Sequence, residues 1–297
     1  MARVMPARVA SEIVGRLARY RLLTLLAATA AFPAHADESA PLTFRAPDAS
    51  EVVLTKAELR ARCGPRTVTV EDPYYHGTRR FTACPLEKVF ELGFGKAPAA
   101  LDGEDVLFVA LDGYARTAPA SQLAEGGAFL ALEDADRAAR GLGGFDPIDR
   151  RQVDAGPYYL VWTGTGMNDA HRYPWPYQLA RIERTRFADR FPHTPPTGAA
   201  ETAPAWQGYA IFKRECISCH AINGEGGRVG PELNVPRSIV EYRDAATIKA
   251  YVKNPASFRY TTMPAHLHLS DADLDALVAY FTAMSERKHD PGPGESH

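Results

Sequence analysis

The chain has 297 residues, of which 45% are hydrophobic and 24% are charged, and this composition is typical of a folded protein with one or two domains. It excludes collagen-like and wholly disordered chains, as well as proteins with several membrane spans. The 34 basic and 36 acidic residues give a formal net charge of -2, so we expect no nucleic-acid partner.

The first 36 residues have the pattern of an export signal. Their five arginines outnumber the single acid, Glu12, and the apolar run 22–32 is shorter than the roughly 20 residues that cross a bilayer. Ala34, His35 and Ala36 form a small-x-small cleavage motif. We therefore predict a signal peptide over 1–36, a periplasmic protein and no membrane span in the mature chain. An uncleaved N-terminal anchor is the alternative interpretation.

Residues 37–192 contain short runs rich in β-forming side chains, separated by clusters of Gly, Pro and Asp. The clearest runs are 51–55, 66–70, 105–110 and 158–162, and two stretches, 56–62 and 85–92, have helical character. This pattern predicts a mixed, strand-dominated domain of about 155 residues, which is large enough for a hydrophobic core of its own.

Four segments of this domain resemble, in their order along the chain, the molybdopterin-binding domain of the sulfite oxidase family. They are LTKAEL (54–59), CPLEKVF (84–90), FVALDGY (108–114) and GPYYLVW (156–162). The resemblance implies a sulfite-oxidase-like fold, with a metal-ligating cysteine near the end of the strand that precedes CPLEKVF. That strand, 66–72, contains no cysteine, and the signal has no Arg-Arg pair for export of a folded protein. We therefore predict the fold without its molybdopterin.

Cys63 and Cys84 flank this strand. In an oxidising compartment we expect them to form a disulfide, which would close a loop of about 20 residues and stabilise the fold by roughly 3 kcal/mol. A role as a metal ligand is the alternative for either cysteine, and predicted export makes the disulfide the preferred interpretation.

The segment CISCH (216–220) has the pattern for covalent attachment of a c-type haem. The thiols of Cys216 and Cys219, three positions apart, can add across the two vinyl groups of one haem, and His220 is then carried beneath the iron. A redox dithiol or half of a zinc site are the alternatives, but a zinc site needs two further ligands at suitable spacing, and none is evident downstream. We predict one covalent haem c.

Met263 is the predicted sixth ligand of the haem iron. It precedes Pro264, which would stiffen the loop and hold the thioether in place. His266 and His268 are competing ligands, and either would give a bis-histidine haem of lower potential. Met284 continues the apolar helical face of 274–281 and is predicted to lie in the core.

From about residue 203 onward, the chain resembles the class I cytochromes c. Segment WQGYAIF (206–212) is similar to the family's first helix, and 270–285, opened by Ser270 as N-cap, is similar to its last helix. The resemblance implies that Gly208 lets these two helices cross closely.

The same resemblance implies that Pro231, in the segment GPELN (230–234), accepts a hydrogen bond from the imidazole of His220 and so fixes its tautomer. It also implies an all-α cytochrome c domain over 205–285. A linker with three prolines and Gly198 around a run of small residues is predicted over 193–204, and a disordered tail over 286–297. The predicted fold class is α+β overall.

These patterns predict a periplasmic mono-haem c-type cytochrome that carries single electrons between a dehydrogenase and a respiratory acceptor, with an N-terminal docking domain. Its expected partners are redox proteins. The alternative is a molybdenum-dependent, sulfite-oxidase-like oxidoreductase that passes electrons to its own haem. A haem sensor with an open sixth position is a third possibility.

Overall fold

The computed structural model describes residues 38–148 and 152–292, which belong to one compact unit. The predicted signal peptide, its cleavage site and residues 293–297 of the predicted tail lie outside the described residues. Within those two described ranges, no helix has both the length and the apolar character needed to cross a membrane.

Strands dominate the first half of the described chain, and helices dominate the second. The strands are β1 (Pro41–Arg45), β2 (Glu51–Thr55), β3 (Arg66–Asp72), β4 (Gly77–Pro85), β5 (Asp105–Ala110), β6 (Ala115–Pro119), β7 (Ala128–Asp134), β8 (Tyr159–Trp162), β9 (Leu179–Thr185), β10 (Ala221–Ile222) and β11 (Glu225–Gly226). The α-helices are α1 (Lys56–Arg62), α2 (Leu86–Phe94), α3 (Ala120–Leu123), α4 (Ala135–Ala139), α5 (Phe187–Arg190), α6 (Pro204–Ile211), α7 (Ala245–Lys253) and α8 (Asp271–Ser285).

The N-terminal half is built on two sheets. One has the strand order β2-β1-β9-β5-β6, and the other has the order β3-β4-β7-β8. Only the β1–β9 pair among these is parallel. In β3 the buried residues alternate with exposed ones, as expected for a strand with one face on the core, whereas all four residues of β8 are buried. The predicted strand-rich first half and the mixed α+β composition are confirmed.

A disulfide joins Cys63, just after α1, to Cys84 in β4, with the two Cα atoms 5.5 Å apart. Helix α1 begins at a capping box, in which the hydroxyl of Thr55 accepts from the backbone N–H of Glu58 and the Glu58 carboxylate accepts from the N–H of Thr55. The bridge therefore attaches the end of this helix to the end of β4, an inner strand of the four-stranded sheet.

In the C-terminal half, α6 crosses α8 at very short range. A Cβ atom added at Gly208 would overlap the carbonyl oxygen of Ala276 and crowd the Cβ of Tyr280, so only glycine permits this approach. The hydroxyl of Ser270 caps α8 by accepting from the N–H of Asp273. The two helices thus pack directly against each other in the C-terminal half.

The predicted all-α domain contains one small β-ladder, so that prediction was wrong in this detail. Strands β10 and β11 pair as an antiparallel hairpin directly after His220. The chain reverses at Asn223 and Gly224, whose φ angles of 58° and 77° are those of a tight Asn-Gly hairpin turn. Two-residue strands have no periodicity to predict them, although the Asn-Gly pair was a usable signal.

The two halves pack against each other. The N–H of Ala115 in β6 donates to the carbonyl of Ser218 at 2.9 Å, and the N–H of Arg228 donates to the carbonyl of Gly113 at 3.0 Å. Side chains of the N-terminal half, including Phe187, share one buried hydrophobic cluster with Phe212 of the C-terminal half. The loop that carries the CISCH segment therefore lies against the N-terminal domain.

The predicted linker and the start of the predicted tail also contact the C-terminal half. Thr194 is buried, and its carbonyl accepts from the hydroxyl of Tyr280 at 2.8 Å. The Asn223 amide donates to the carbonyl of His193 at 2.8 Å, and the rings of His193 and His289 stack with centroids 3.7 Å apart. Residues 286–292, predicted to be disordered, are thus held against residue 193 and the hairpin turn.

Candidate haem site

The two cysteines of the CISCH segment lie in a tight turn at the end of a π-helical turn, Phe212–Cys216, that follows α6. The backbone N–H groups of Cys219 and His220 both donate to the carbonyl of Cys216, at 3.0 and 2.9 Å. Cys216 is buried, Cys219 is half-buried, and neither is in a disulfide. One turn of chain therefore presents two free thiols and an imidazole.

The electrostatics of these thiols do not fit a redox dithiol. Burial raises the pKa of Cys216 to about 12 and that of Cys219 to about 11. A reactive dithiol needs a lowered pKa, because the thiolate is the nucleophile. Among the described residues, the one three-ligand group of His, Cys, Asp or Glu side chains contains neither cysteine, which gives the half-zinc-site interpretation no support.

His220 is oriented by the loop that faces it. Its Nδ1 atom lies 2.8 Å from the carbonyl oxygen of Pro231, which can only accept, so Nδ1 carries the proton and Nε2 is left as the free ligand atom. Burial lowers the pKa of His220, outweighing the opposing effect of this hydrogen bond, and favours the neutral imidazole that binds iron. A Cβ at Gly230 would overlap the His220 ring. These features fit a histidine prepared for haem ligation.

Glu232 holds this loop in place. Its carboxylate accepts from the backbone N–H groups of Asn223, Gly224 and Asn234, at 3.0, 3.0 and 2.7 Å, and from that of Val235 at 3.1 Å. One side chain thus joins the hairpin turn after His220 to the loop that carries Pro231. No sequence motif indicated this role, because the donors become neighbours only in the folded chain.

The three candidate sixth ligands have different surroundings. Met263 is half-buried against the hydrophobic cluster of the C-terminal half. His266 is buried, with Nδ1 3.7 Å from a carboxylate oxygen of Glu215, and Nε2 of His268 lies 3.4 Å from the other oxygen. Both histidines are thus beside Glu215, whereas the Met263 thioether packs on the core. Met284 is 1% exposed and lies in that core.

Arg116 of β6 attaches the N-terminal domain to the chain leading into CISCH. Its guanidinium donates to the carbonyl of Arg214 at 2.7 Å and to the carbonyl of His171 at 2.9 Å. With the Ala115–Ser218 hydrogen bond, these contacts cover the loop of the two cysteines. No sequence pattern indicated this contact of β6 with the C-terminal half.

Residues 205–285 match the cytochrome c family model. The match covers both cysteines, His220, Pro231 and Met263. It supports a c-type cytochrome domain that carries haem c and transfers electrons. The sulfite-oxidase-like assignment of residues 37–192 stays a prediction.

Curated relatives share parts of this chain. A cytochrome c oxidase subunit 2 from Alkalihalophilus pseudofirmus is 33% identical over 86 residues, which are 26% of this chain and 25% of that protein. A thiosulfate dehydrogenase from Thiomonas intermedia is 37% identical over 91 residues, which are 29% of this chain and 28% of that protein.

A lupanine 17-hydroxylase (cytochrome c) from a Pseudomonas species is 27% identical over 200 residues, which are 67% of this chain and 26% of that protein. This similarity is longer than the C-terminal domain, so it extends into the N-terminal half. The chain spans only about a quarter of the length of each of these three relatives, at 25%, 28% and 26%.

Proposed function

We propose that the chain is an exported electron carrier with one covalent haem c, which passes single electrons between a dehydrogenase and a respiratory acceptor in the periplasm. The hydrogen bond from Nδ1 of His220 to the carbonyl of Pro231, at 2.8 Å, carries the proposal. It leaves Nε2 of an uncharged imidazole free to bind iron, in the residue that directly follows two cysteines with no disulfide partner.

Different residues of the chain would attach the haem and ligate its iron. Cys216 and Cys219 would hold the haem through thioether bonds, and His220 and Met263 would ligate its iron. When bound, the haem supplies one-electron Fe(III)/Fe(II) chemistry. Pro231 fixes the tautomer of His220, and the buried cluster of the C-terminal half excludes water from the site.

The disulfide between Cys63 and Cys84 supports the proposed location. Disulfides persist in oxidising compartments such as the periplasm and are rare in the cytosol. The same disulfide argues against the molybdenum alternative, because it uses both cysteine sulfur atoms of the N-terminal domain. The free cysteines of the chain are Cys216 and Cys219, and both belong to the haem motif. The N-terminal domain is therefore proposed to dock on the haem-attachment loop and to hold no molybdopterin.

Quantitation of iron and molybdenum in exported, matured protein tests the choice between these functions. The carrier proposal predicts one iron atom per chain and no molybdenum, with the haem reducible by a small chemical reductant. Stoichiometric molybdenum, together with haem reduction that depends on an added oxidisable substrate such as sulfite, would instead establish the oxidoreductase.

A further inference from the structure

Three histidines converge on one buried carboxylate outside the haem motif. Nδ1 of His171 lies 3.3 Å from one oxygen of Glu215, and Nε2 of His268 lies 3.4 Å from the other. Nδ1 of His266 lies 3.7 Å from the oxygen that faces His171. The ligand atoms of His171, Glu215 and His268 all fall within 4.8 Å of one another.

These donors match the preferences of a particular class of cation. Imidazole nitrogen combined with carboxylate oxygen suits zinc and related borderline divalent metals rather than calcium or magnesium, which take oxygen ligands. Metal–ligand bonds of 2.0–2.1 Å in a tetrahedral zinc site place neighbouring ligand atoms about 3.3 Å apart. Nδ1 of His171 and one oxygen of Glu215, 3.3 Å apart, already have this spacing, and Nε2 of His268 lies 3.4 Å from the other oxygen of the same carboxylate.

Burial separates the inner part of the cluster from its entrance. The side chain of Glu215 is 4% exposed and that of His266 is 6% exposed, whereas those of His171 and His268 are 65% and 44% exposed. Nδ1 of His266 is buried without any partner at hydrogen-bond distance. Its ion-pair contact is the Glu215 carboxylate, at 3.7 Å, so His266 lies on the buried side of the cluster and the two exposed rings lie at its entrance.

Arg214 pairs with one oxygen of the Glu215 carboxylate and leaves the other oxygen available to a cation. Nε of Arg214 lies 2.6 Å from the Glu215 oxygen that faces His268, and this arginine is the cation already paired with the group. The other oxygen faces His171 and His266 only through contacts of 3.3 and 3.7 Å. That oxygen is therefore the expected metal ligand.

The backbone around the cluster is held by Arg116. Its guanidinium donates to the carbonyls of His171 and Arg214, so it fixes the chain beside two members of the cluster. His171 belongs to the N-terminal half, whereas Glu215 and His268 belong to the C-terminal half. A cation bound here would join the two halves beside the segment that carries Cys216.

We propose that His171, Glu215 and His268, with His266 behind them, bind one divalent cation of the zinc class. This inference goes beyond the haem function and does not depend on it. The binding would stabilise the contact between the two halves, because a ligand that binds only the folded, assembled site shifts the folding equilibrium toward it.

Equilibrium dialysis of Zn²⁺ against the full, haem-loaded chain without an affinity tag tests the proposal. We expect one zinc ion per chain, and an affinity reduced at least about tenfold in both His171→Ala and His268→Ala, since each removes a metal ligand. His76→Ala is the matched control, because it removes an exposed histidine from the β3–β4 turn. It should bind zinc as the unchanged chain does.

Three results would contradict the proposal: no saturable binding of one Zn²⁺, equal zinc affinity in both histidine variants and the unchanged chain, or loss of zinc binding in His193→Ala/His289→Ala instead. The His193→Ala/His289→Ala variant tests whether zinc binds at the stacked histidine pair beside Glu225. The haem absorption spectrum, recorded on the same samples, reports folding and haem attachment separately. Absent zinc binding with a normal haem spectrum would therefore reject this site and leave the haem proposal standing.

Discussion

Neighbouring residues set the tautomer of the His220 ring, the space around it and the position of the loop that it contacts. The carbonyl of Pro231 fixes the tautomer, Gly230 leaves room for the ring, and Glu232 anchors the loop that carries both. The family resemblance predicted the Pro231 contact, since it depends on a short local motif. Glu232 was not predictable, because its four backbone donors are brought together by the hairpin turn and the loop.

Substitution of Met263 tests the sixth iron ligand. Met263→Ala should keep its covalent haem and lose the low-spin spectrum of methionine ligation, because the thioether is removed while both thiols remain. Absorption spectra of the oxidised and reduced protein measure this. Met284→Leu is the control, since Met284 is a buried core residue and a volume-conserving exchange should leave the spectrum unchanged.

An unchanged spectrum in Met263→Ala would move the ligand to His266 or His268. Either histidine could then ligate iron through one ring nitrogen while the other keeps its contact with Glu215, at 3.7 or 3.4 Å.

At the scale of elements, the ends of helices were predictable where a local cap determines them. The predicted 56–62 helix agrees with Lys56–Arg62, and Ser270 caps Asp271–Ser285 as expected. Helix α2 runs to Phe94, two residues beyond its predicted end, because the left-handed Gly95 terminates it. The β10–β11 hairpin was missed, since two-residue strands carry no alternation of apolar and polar positions.

The crossing of α6 and α8 should be sensitive to a single methyl group. Gly208→Ala places a Cβ against the carbonyl oxygen of Ala276, where backbone cannot yield easily, so we expect a loss of about 3 kcal/mol in the free energy of unfolding. Urea unfolding of the haem-loaded protein measures it. Gln207→Ala, at the exposed neighbouring position of α6, should change stability by less than about 0.5 kcal/mol. Equal stability of Gly208→Ala and the unchanged chain would mean that the helices do not cross this closely.

At the scale of the whole molecule, the sequence left the arrangement of its two halves undetermined. The structure joins them through β6, with Ala115 hydrogen-bonded to Ser218 and Arg116 hydrogen-bonded to Arg214. Local patterns describe each element, but they do not encode which distant surface an element will contact. The composition of the halves was therefore predictable, whereas their interface and the histidine cluster beside it were not.

A haem-peroxidase stain of the exported protein on a denaturing gel shows whether a haem is attached covalently to Cys216 and Cys219. We predict a stained band for the unchanged chain and for Cys63→Ser/Cys84→Ser, whose disulfide lies in the other half of the molecule. Cys216→Ser/Cys219→Ser should give an unstained band of the same size. A band that does not stain in the unchanged chain, or one that still stains in Cys216→Ser/Cys219→Ser, would show that no haem is bound through these two cysteines.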